Sequence, residues 1–248
     1  MPELPEVEVV RAGLEPALAS SRIDAVTVSD ARALTRHAGD AADFEFRVTG
    51  RRIDGVVRRG KFLWMPLATT TAGTDVRERE AIVGHLGMSG QMLLRESGTP
   101  PLRHERIRLD VRHPEHGDLA VVFVDQRTFG SLAVDRLDST PDGAAGGRGS
   151  DVALVPSQVA HIARDPLDPA FDEDAFRRAV LRTRSAVKRV LLDQTVVSGI
   201  GNIYADEALW ASRLHPERLG NDLSTRSLGR LLGEVRAVLH RALAEGGT

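Results

Sequence analysis

The chain has 248 residues, of which 42% are hydrophobic and 27% are charged, a composition typical of a globular protein that can bury a core in one large domain or two smaller ones. It contains no cysteine, which excludes disulfides, a thiol nucleophile and a cysteine-ligated zinc within these residues. The 33 basic and 35 acidic residues give a formal net charge of -2, so we expect any nucleic acid to be bound through a local patch rather than through bulk charge.

Lysine is rare in this chain. Only Lys61 and Lys188 are lysines, and the other 31 basic residues are arginines (33 minus 2). A lysine retained in such a chain reflects either a need for a compact ammonium or chance.

Neither a membrane span nor a secretion signal is predicted. No apolar run reaches the roughly 18 to 20 residues that cross a bilayer, and the N-terminus lacks the basic-then-apolar order of a signal peptide. We therefore expect a cytosolic protein.

The first half of the chain is predicted to be mostly antiparallel β-structure that follows one helix. The helix is predicted over 5–19, because apolar residues recur there at three- and four-residue spacing. Turn signals then separate short runs rich in Val, Ile and Leu. These predicted strands cover 23–28, 52–57, 62–67, 81–86, 91–94, 107–111, 119–124 and 131–134.

The second half is predicted to be helical. A stretch rich in Gly, Pro, Ser and Asp follows residue 135 and is typical of a linker. Apolar stripes at helical spacing then indicate helices over 172–183, 185–193, 202–213 and 225–245. We therefore predict an α+β protein with a β-rich domain over 1–135, a linker or flexible loop over 136–157, and an all-α domain over 158–248.

The first six residues, MPELPE, allow two interpretations. Prolines and carboxylates are favoured in a first helical turn, where N–H groups lack partners, so the run can be purely structural. Alternatively, removal of Met1 leaves Pro2 as a terminal secondary amine. Such an amine has a pKa of about 7.7 to 8.0 and is partly neutral and nucleophilic at physiological pH. Glu3 can then move protons as a general acid and base.

This run resembles the N-terminus of the formamidopyrimidine-DNA glycosylase family. Further stretches that resemble the family follow in order: RGK at 59–61, HLGMSG at 85–90, DQRTFG at 125–130 and SGIGNIYADE at 198–207. The resemblance implies an N-terminal helix and an antiparallel β-sandwich followed by an all-α helix-two-turns-helix domain. It also implies a monomer that acts on double-stranded DNA containing oxidised bases or abasic sites.

The resemblance implies catalytic roles for three residues. Pro2 matches the family's nucleophile, which forms a Schiff base at the sugar C1′, and Glu3 matches the proton donor that helps to open the sugar and release the base. Lys61 matches a lysine that contacts phosphate and serves β-elimination. Glu6 is placed near the active site.

Met88, Arg127 and Phe129 allow two interpretations. They can simply be packing residues at strand ends, with Met88 filling a gap in the core. The resemblance implies instead that they fill the space left when the damaged nucleotide leaves the helix, where apolar and planar groups offset lost stacking. We call these three side chains the wedge. Many family members carry a second arginine where this chain has Thr128, so one cation of the pattern is missing.

Several polar residues are candidates for binding the DNA backbone. The resemblance places His85 near a phosphate and Asn202 on backbone phosphates, and Lys188 and His104 are weaker candidates. In the helix-two-turns-helix element, the unpaired N–H groups at the start of the second helix are also suited to bind phosphate. A purely structural alternative for 199–202 is a glycine C-cap followed by an N-cap at Asn202.

A basic run ends in one of the two lysines. Such charges ordinarily lie solvated on edge strands. We interpret them instead as a phosphate-facing patch, whose affinity for DNA is independent of base sequence and weakens with salt. The run consists of Arg51, Arg52, Arg58, Arg59 and Lys61.

No metal site is predicted. The stretch HPEH at 113–116 contains possible ligands, but Pro114 and the following Gly117 and Asp118 favour a hairpin turn. The family continues beyond the match with a loop that covers the flipped base and a four-cysteine zinc finger. This chain is therefore either partial or a finger-less relative, and zinc is expected only where the protein continues into that finger.

The predicted function is base excision repair in a bacterial cytosol, at the nucleoid. The enzyme would excise 8-oxoguanine and formamidopyrimidines from duplex DNA and cleave the strand by β-elimination, with or without δ-elimination. One alternative is an endonuclease VIII-like enzyme for oxidised pyrimidines, which Leu4 and the HLGMSG stretch disfavour. The other is a non-catalytic protein that binds damaged or abasic DNA through Lys61 and Asn202.

Overall fold

The computed structural model describes residues 2–68 and 79–247, and the chain divides into two compact units. Within these residues, the first unit comprises Pro2, Val10–Arg58 and most of Phe62–Ala160. The second comprises Glu3–Val9, Arg59–Lys61 and the chain from His161 onward. This division differs from the predicted domains, because two short N-terminal segments belong with the C-terminal helices.

The first unit contains two antiparallel sheets, as the sequence predicts. Helix α1 spans Leu4–Leu18 and is divided between the units. The elements that follow are β1 (Arg22–Val28), a 3-10 helix (Ala31–Leu34), α2 (Ala41–Val48), β2 (Val57–Arg59), β3 (Phe62–Leu67), β4 (Glu80–His85), β5 (Gln91–Glu96), β6 (Glu105–His113), β7 (Gly117–Val124), β8 (Ser131–Ser139) and β9 (Leu154–Pro156). One sheet has the order β1-β6-β7-β5 and the other β2-β3-β4-β8-β9.

Alternating burial explains why these runs form strands. Along β6, buried residues alternate with more accessible ones over most of its length, which is the period of two that a half-buried strand requires. Strand β4 pairs with both β3 and β8 and is accordingly buried over its middle four residues. Large side chains such as Phe44, Trp64 and Phe123 are almost fully buried in this unit.

The segment 136–157 is not a linker, so this prediction is wrong. Strand β8 continues to Ser139, and β9 pairs with it between Leu137 and Pro156. The carboxylate of Asp135 accepts hydrogen bonds from the Ser157 hydroxyl and the Gln158 N–H, both at 2.7 Å. The Gly-rich segment therefore connects β8 to β9 within the first unit.

Two other local differences appear in the first unit. Helix α2 was not predicted; it begins after Asp40, whose carboxylate accepts the Asp43 N–H at 2.9 Å as an N-cap. The strand predicted over 52–57 is also largely wrong, because only isolated bridges occur at Arg52 and Ile53 and β2 starts at Val57.

The second unit is built from helices around one apolar core. Its helices are α3 (Glu173–Arg182), α4 (Val187–Leu192), α5 (Asn202–Ala211), a 3-10 helix (Gly220–Asp222) and α6 (Thr225–Glu245). The core includes Leu4 together with side chains of α3 to α6, which is why the first residues of α1 belong to this unit. None of the helices within residues 2–68 and 79–247 is long and apolar enough to cross a membrane.

Candidate active site

The carboxylate of Glu3 caps helix α5 from a distant part of the sequence. Its Oε2 accepts the N–H groups of Gly201 at 2.6 Å and Tyr204 at 3.3 Å, and its Oε1 accepts the N–H of Ile203 at 3.0 Å. N–H groups of a first helical turn lack intrahelical partners and form the positive end of the helix dipole. Because Glu3 is only 2% exposed, its side chain is held in one orientation.

Gly201 makes this close approach possible. A Cβ on Gly201 would overlap the Glu3 carboxylate. Gly201 is also the N-cap residue of α5, without a side-chain cap bond, so the structural alternative of an N-cap at Asn202 is wrong. Three N–H groups that we expected to bind phosphate are occupied by Glu3, while Asn202 lies exposed at the first position of α5.

Gln194 holds the two turns between α4 and α5. Its amide nitrogen donates to the carbonyls of Leu192 and Ile200, both at 3.0 Å, and its carbonyl accepts the Gly199 N–H at 2.9 Å. The carbonyl of Gly199 in turn accepts the Leu4 N–H at 2.9 Å. Gln194 thereby links the loop before α5 to the start of α1. We did not identify it from the sequence, because a single glutamine gives no pattern.

Lys61 is buried in the same unit as Glu3. It is 8% exposed, and burial lowers the pKa of its amine below the ordinary value of 10.5, although attraction to the Glu3 carboxylate partly offsets this effect. A lowered pKa increases the fraction of free amine near neutral pH, which suits a base that removes a proton.

Glu6 is hydrogen-bonded to Glu3 and to Tyr204. Its Oε2 accepts the backbone N–H of Glu3 at 2.8 Å, and its Oε1 accepts the hydroxyl of Tyr204 at 2.6 Å. Tyr204 lies within the SGIGNIYADE stretch, but the sequence alone predicts no function for it. Pro2 is partly buried and precedes Glu3 in the chain. Met1, whose removal the nucleophile requires, lies outside the described residues.

The three wedge residues are exposed in the first unit. Met88 is 45% and Phe129 57% exposed, so a role as core packing residues is wrong for both. The guanidinium carbon of Arg127 lies 4.8 Å from the centre of the Phe129 ring, a cation-π distance. The exposed Phe129 ring under Arg127 and the exposed Met88 side chain are both accessible for contact with a base stack.

Asp125 joins the two loops that carry the wedge. Its Oδ1 accepts the Ser89 hydroxyl at 2.6 Å, beside Met88, and also the Arg127 N–H at 3.1 Å; its Oδ2 accepts the Gly130 N–H at 2.8 Å. Burial alone would raise the pKa of Asp125, but these bonds and one from the Phe129 N–H hold the pKa below the ordinary 3.8. An aspartate that opens a turn is the sequence signal for this role.

The backbone of these loops is tightly constrained. Gly87 has φ of +63°, and a Cβ there would approach the Phe129 carbonyl carbon to 2.5 Å. Thr128 has φ of +53°, which is unfavourable for a β-branched residue. Strain of this kind is maintained only where surrounding bonds determine the conformation, and the bonds to Asp125 on either side of Thr128 do so.

His85 and His104 lie next to the wedge loops. His85 Nδ1 accepts the Gly87 N–H at 3.1 Å, which leaves Nε2 as the ring nitrogen that can donate a hydrogen bond. The carbonyl of His104 accepts the Asp125 N–H at 3.0 Å. The structure therefore gathers His85, His104 and the wedge in the first unit, and Glu3, Glu6, Lys61 and Asn202 in the second.

The basic run is not an exposed patch, so that interpretation is wrong for most of its members. Arg51 is 1% exposed; its guanidinium donates to the carbonyls of Leu67 and Ala68 and forms an ion pair of 2.9 Å with Glu80. Arg58 and Arg59 are each 3% exposed. Arg52 is exposed but forms a 3.0 Å ion pair with Asp54. For Arg51, the carbonyl acceptors and the Glu80 carboxylate, which sequence spacing does not reveal, explain why the guanidinium is buried.

Lys188 lies on α4 and faces α5. Its amine forms a 2.8 Å ion pair with Asp206, and the Lys188 side chain is 26% exposed. This ion pair neutralises much of the charge of the Lys188 ammonium, which we predicted to contact DNA. A phosphate contact by Lys188 therefore stays a prediction.

The HPEH stretch forms a hairpin turn, as predicted. His113 pairs with Gly117 across β6 and β7, and its Nδ1 accepts the N–H groups of Glu115 and His116, both at 3.1 Å. In the part of the chain that the structure describes, no three His, Asp or Glu side chains form a cluster that could hold a metal ion. A chain without cysteine cannot supply the ligands of a four-cysteine zinc site.

Comparison with known families matches nearly the whole chain. The sequence model of the formamidopyrimidine-DNA glycosylase N-terminal domain matches residues 1–132, and that of the formamidopyrimidine-DNA glycosylase H2TH domain matches residues 162–248. A formamidopyrimidine-DNA glycosylase of Leifsonia xyli subsp. xyli is 58% identical over 248 residues, which cover all of this chain and 81% of that protein. One of Streptomyces avermitilis is 48% identical, covering all of this chain and 79% of that protein.

Solved structures agree with this match. The formamidopyrimidine-DNA glycosylase of Lactococcus lactis, bound non-covalently to DNA containing an abasic site, has a TM-score of 0.78 and 26% identity, over 99% of this chain and 83% of that one. The same enzyme in complex with DNA containing FAPY-dG has a TM-score of 0.77 and 27% identity, over 99% and 82%.

Proposed function

Because the chain belongs to the formamidopyrimidine-DNA glycosylase family and is thus a DNA glycosylase and abasic-site lyase of base excision repair, we propose that it excises oxidised purines from duplex DNA through Pro2. The substrates are 8-oxoguanine and formamidopyrimidines. The observation that carries the proposal is the arrangement around Glu3, which immediately follows Pro2: its carboxylate is fixed by three N–H donors, and it attracts the charge of the buried Lys61.

The proposed chemistry begins at the terminal amine. With Met1 removed, the Pro2 nitrogen attacks C1′ of the damaged nucleotide as the bond to the base breaks, and Glu3 supplies the proton that opens the sugar. The resulting iminium joins Pro2 to C1′. Loss of a proton from C2′ then expels the 3′ phosphate by β-elimination, and the Lys61 amine is the proposed phosphate contact and base.

The wedge and the polar candidates have separate roles. Met88, Arg127 and Phe129 fill the gap left by the everted nucleotide, and their exposure supports this role. His85, His104, Lys188 and Asn202 are proposed to contact the DNA backbone, with Glu6 placed behind Glu3. The chemistry uses only groups of this chain, and zinc would enter only in a protein that continues into the four-cysteine finger. We propose that the enzyme acts as a monomer in the bacterial cytosol, at the nucleoid.

The test is trapping with borohydride on a duplex that contains one abasic site. Hydride reduces the iminium and leaves a stable amine, so we expect a covalent protein–DNA adduct whose linked peptide begins at Pro2. A form that retains Met1 has no terminal Pro2 amine and should not trap. Lys188→Met is the control for loss of a lysine. At saturating enzyme it should still form the adduct at Pro2, because a backbone contact affects the binding of DNA and not the formation of the iminium.

Three outcomes of this experiment would contradict the proposal. A linkage mapped to Lys61 or Lys188, or equal trapping by Pro2→Gly through another residue, would exclude Pro2 as the nucleophile. Tight binding of abasic DNA without any trapping would indicate the non-catalytic alternative. Comparing excision of 8-oxoguanine with that of an oxidised pyrimidine tests the choice of substrate against the endonuclease VIII-like alternative.

A further inference from the structure

We propose that Tyr204 is a positioning residue for the nucleophile, acting through Glu6 on the peptide group that joins Pro2 to Glu3. The proposal rests on the proposed function, because it assumes that Pro2 is the reacting amine. Tyr204 itself does not touch the reacting atoms. Its effect is transmitted through two consecutive hydrogen bonds.

The bonds between Tyr204, Glu6 and Glu3 close a ring. The Tyr204 hydroxyl donates to Glu6 Oε1 at 2.6 Å, and Glu6 Oε2 accepts the Glu3 N–H at 2.8 Å. The ring closes where the Tyr204 N–H donates to Glu3 Oε2 at 3.3 Å. One residue of α5 therefore fixes both the carboxylate of Glu3 and its backbone.

Fixing the Glu3 N–H constrains the residue before it. This N–H belongs to the planar peptide unit that includes the Pro2 Cα, to which the reacting nitrogen is bonded. An amine that attacks a carbon must be aligned within a few tenths of an ångström, and a displacement of about 1 Å can slow a reaction about a hundredfold. The orientation of this peptide plane is thus a determinant of the rate at which the iminium forms.

Glu6 also caps helix α1, and the test must distinguish this structural role from the proposed positioning role. Glu3 is at the N-cap position of α1 and Glu6 is at N3, where a glutamate commonly bonds back to the N-cap N–H. That bond alone would need only one oxygen of Glu6. The second oxygen is held by the hydroxyl of the only tyrosine in the chain, which is 3% exposed and otherwise packs in the apolar core.

Phenylalanine would satisfy the core equally well, so Tyr204→Phe isolates the hydroxyl. This variant keeps the ring, the N–H bond to Glu3 and the cap formed by Glu6. Ser212→Ala is the matched control: Ser212 ends the same helix, is fully buried, and its hydroxyl donates to the Leu209 carbonyl at 3.2 Å. Both variants remove one buried hydroxyl from α5, but only the first one interrupts the ring.

The experiment measures single-turnover borohydride trapping at saturating enzyme, together with the Kd for a duplex carrying a tetrahydrofuran abasic analogue. We expect Tyr204→Phe to lower the trapping rate about tenfold with the Kd unchanged, and Ser212→Ala to change neither. Because the effect passes through Glu6, adding Tyr204→Phe to Glu6→Ala should cause no further loss. Excision and lyase rates should fall by the same factor, since both use Pro2.

The outcomes distinguish this proposal from the proposed function. If the wild-type chain traps at Pro2 and Tyr204→Phe traps at the wild-type rate, the positioning role is wrong and the proposed function stands. Equal slowing by Tyr204→Phe and Ser212→Ala, or additive losses in the double variant, would also overturn it. Absence of trapping by the wild-type chain would overturn both proposals.

Discussion

Lys61, the proposed base, opposes the stability of the fold while its buried amine is protonated. Burial holds the pKa of its amine below 10.5 in the folded chain, whereas the unfolded chain binds the proton with the ordinary pKa. At a pH below the folded pKa, the buried ammonium therefore costs stability. As the pH rises from the folded pKa to 10.5 the cost is relieved, because the unfolded chain binds more protons in that window.

Lys61→Met is accordingly expected to gain stability relative to wild type near neutral pH, and this gain should shrink as the pH approaches 10.5. Urea unfolding at a series of pH values from about 7 to 10 measures the difference. Lys188→Met, which removes an ammonium paired with Asp206 near the surface, is the control for loss of a lysine. A Lys61→Met difference that stays constant with pH would contradict the burial account. The variant should also lose β-elimination.

At the scale of elements, the wedge is carried by two loops whose backbone is tied down by hydrogen bonds and whose wedge side chains are exposed. Asp125 fixes their backbones, and Phe129 and Met88 project with about half their surface accessible. Truncating an exposed side chain leaves no cavity in the core. We therefore expect truncation of a wedge side chain to leave the free energy of unfolding nearly unchanged, whereas truncation of a buried side chain in the neighbouring sheet should lower it.

Phe129→Ala is expected to slow excision from duplex DNA while leaving lyase action on a single-stranded abasic substrate nearly intact, because no base stack must be filled there. Its stability should change by less than about 1 kcal/mol, against about 3 to 5 kcal/mol for the control Phe123→Ala, which truncates a ring 1% exposed in β7. Thermal unfolding beside the two activities measures both. Parallel loss on both substrates with a large drop in stability would eliminate the wedge role.

At the scale of the whole molecule, binding to DNA must overcome a net charge of -2. The four arginines of the basic run are buried or paired in the structure, which leaves Lys61 as the member of that run that we propose to contact a phosphate. We expect about three of the proposed backbone contacts to neutralise a phosphate charge, for which affinity would fall about fortyfold between about 50 and 200 mM salt.

The Kd for an abasic-analogue duplex, measured by fluorescence anisotropy across this salt range, tests the expectation. Lys61→Met should reduce the slope of log affinity against log salt by about one, since it removes one proposed phosphate contact. Lys188→Met distinguishes an ion pair of Lys188 with Asp206 from a contact of Lys188 with a phosphate. An unchanged slope means that Lys188 stays paired with Asp206, and a reduced slope supports a contact with DNA. A flat response of the wild-type chain would rule out the proposed phosphate contacts.

Local pattern was sufficient for much of the fold. Helix α6 has the predicted bounds of 225–245, because its apolar stripe repeats over many turns and Ser224 and Gly246 cap it. The antiparallel strands follow from alternation and turn residues. Helix α2 has only eight residues, which is too short for a clear period, and the Gly-rich stretch before β9 has the composition of a linker although Asp135 ties it to the sheet.

The sequence by itself determined the groups on which the proposed chemistry rests: a proline that removal of Met1 exposes, a glutamate beside it, a rare lysine, and the loops that carry Met88, Arg127 and Phe129. These are properties of residue type and order, and they also carry the family resemblance. Tertiary structure alone decided which charges are buried, that Glu3 rather than a phosphate holds the N–H groups of α5, and that Tyr204 reaches Glu3 through Glu6. The physical reason is that hydrogen bonds between residues about two hundred positions apart depend on where the folded backbone brings them, and no local period encodes such a contact.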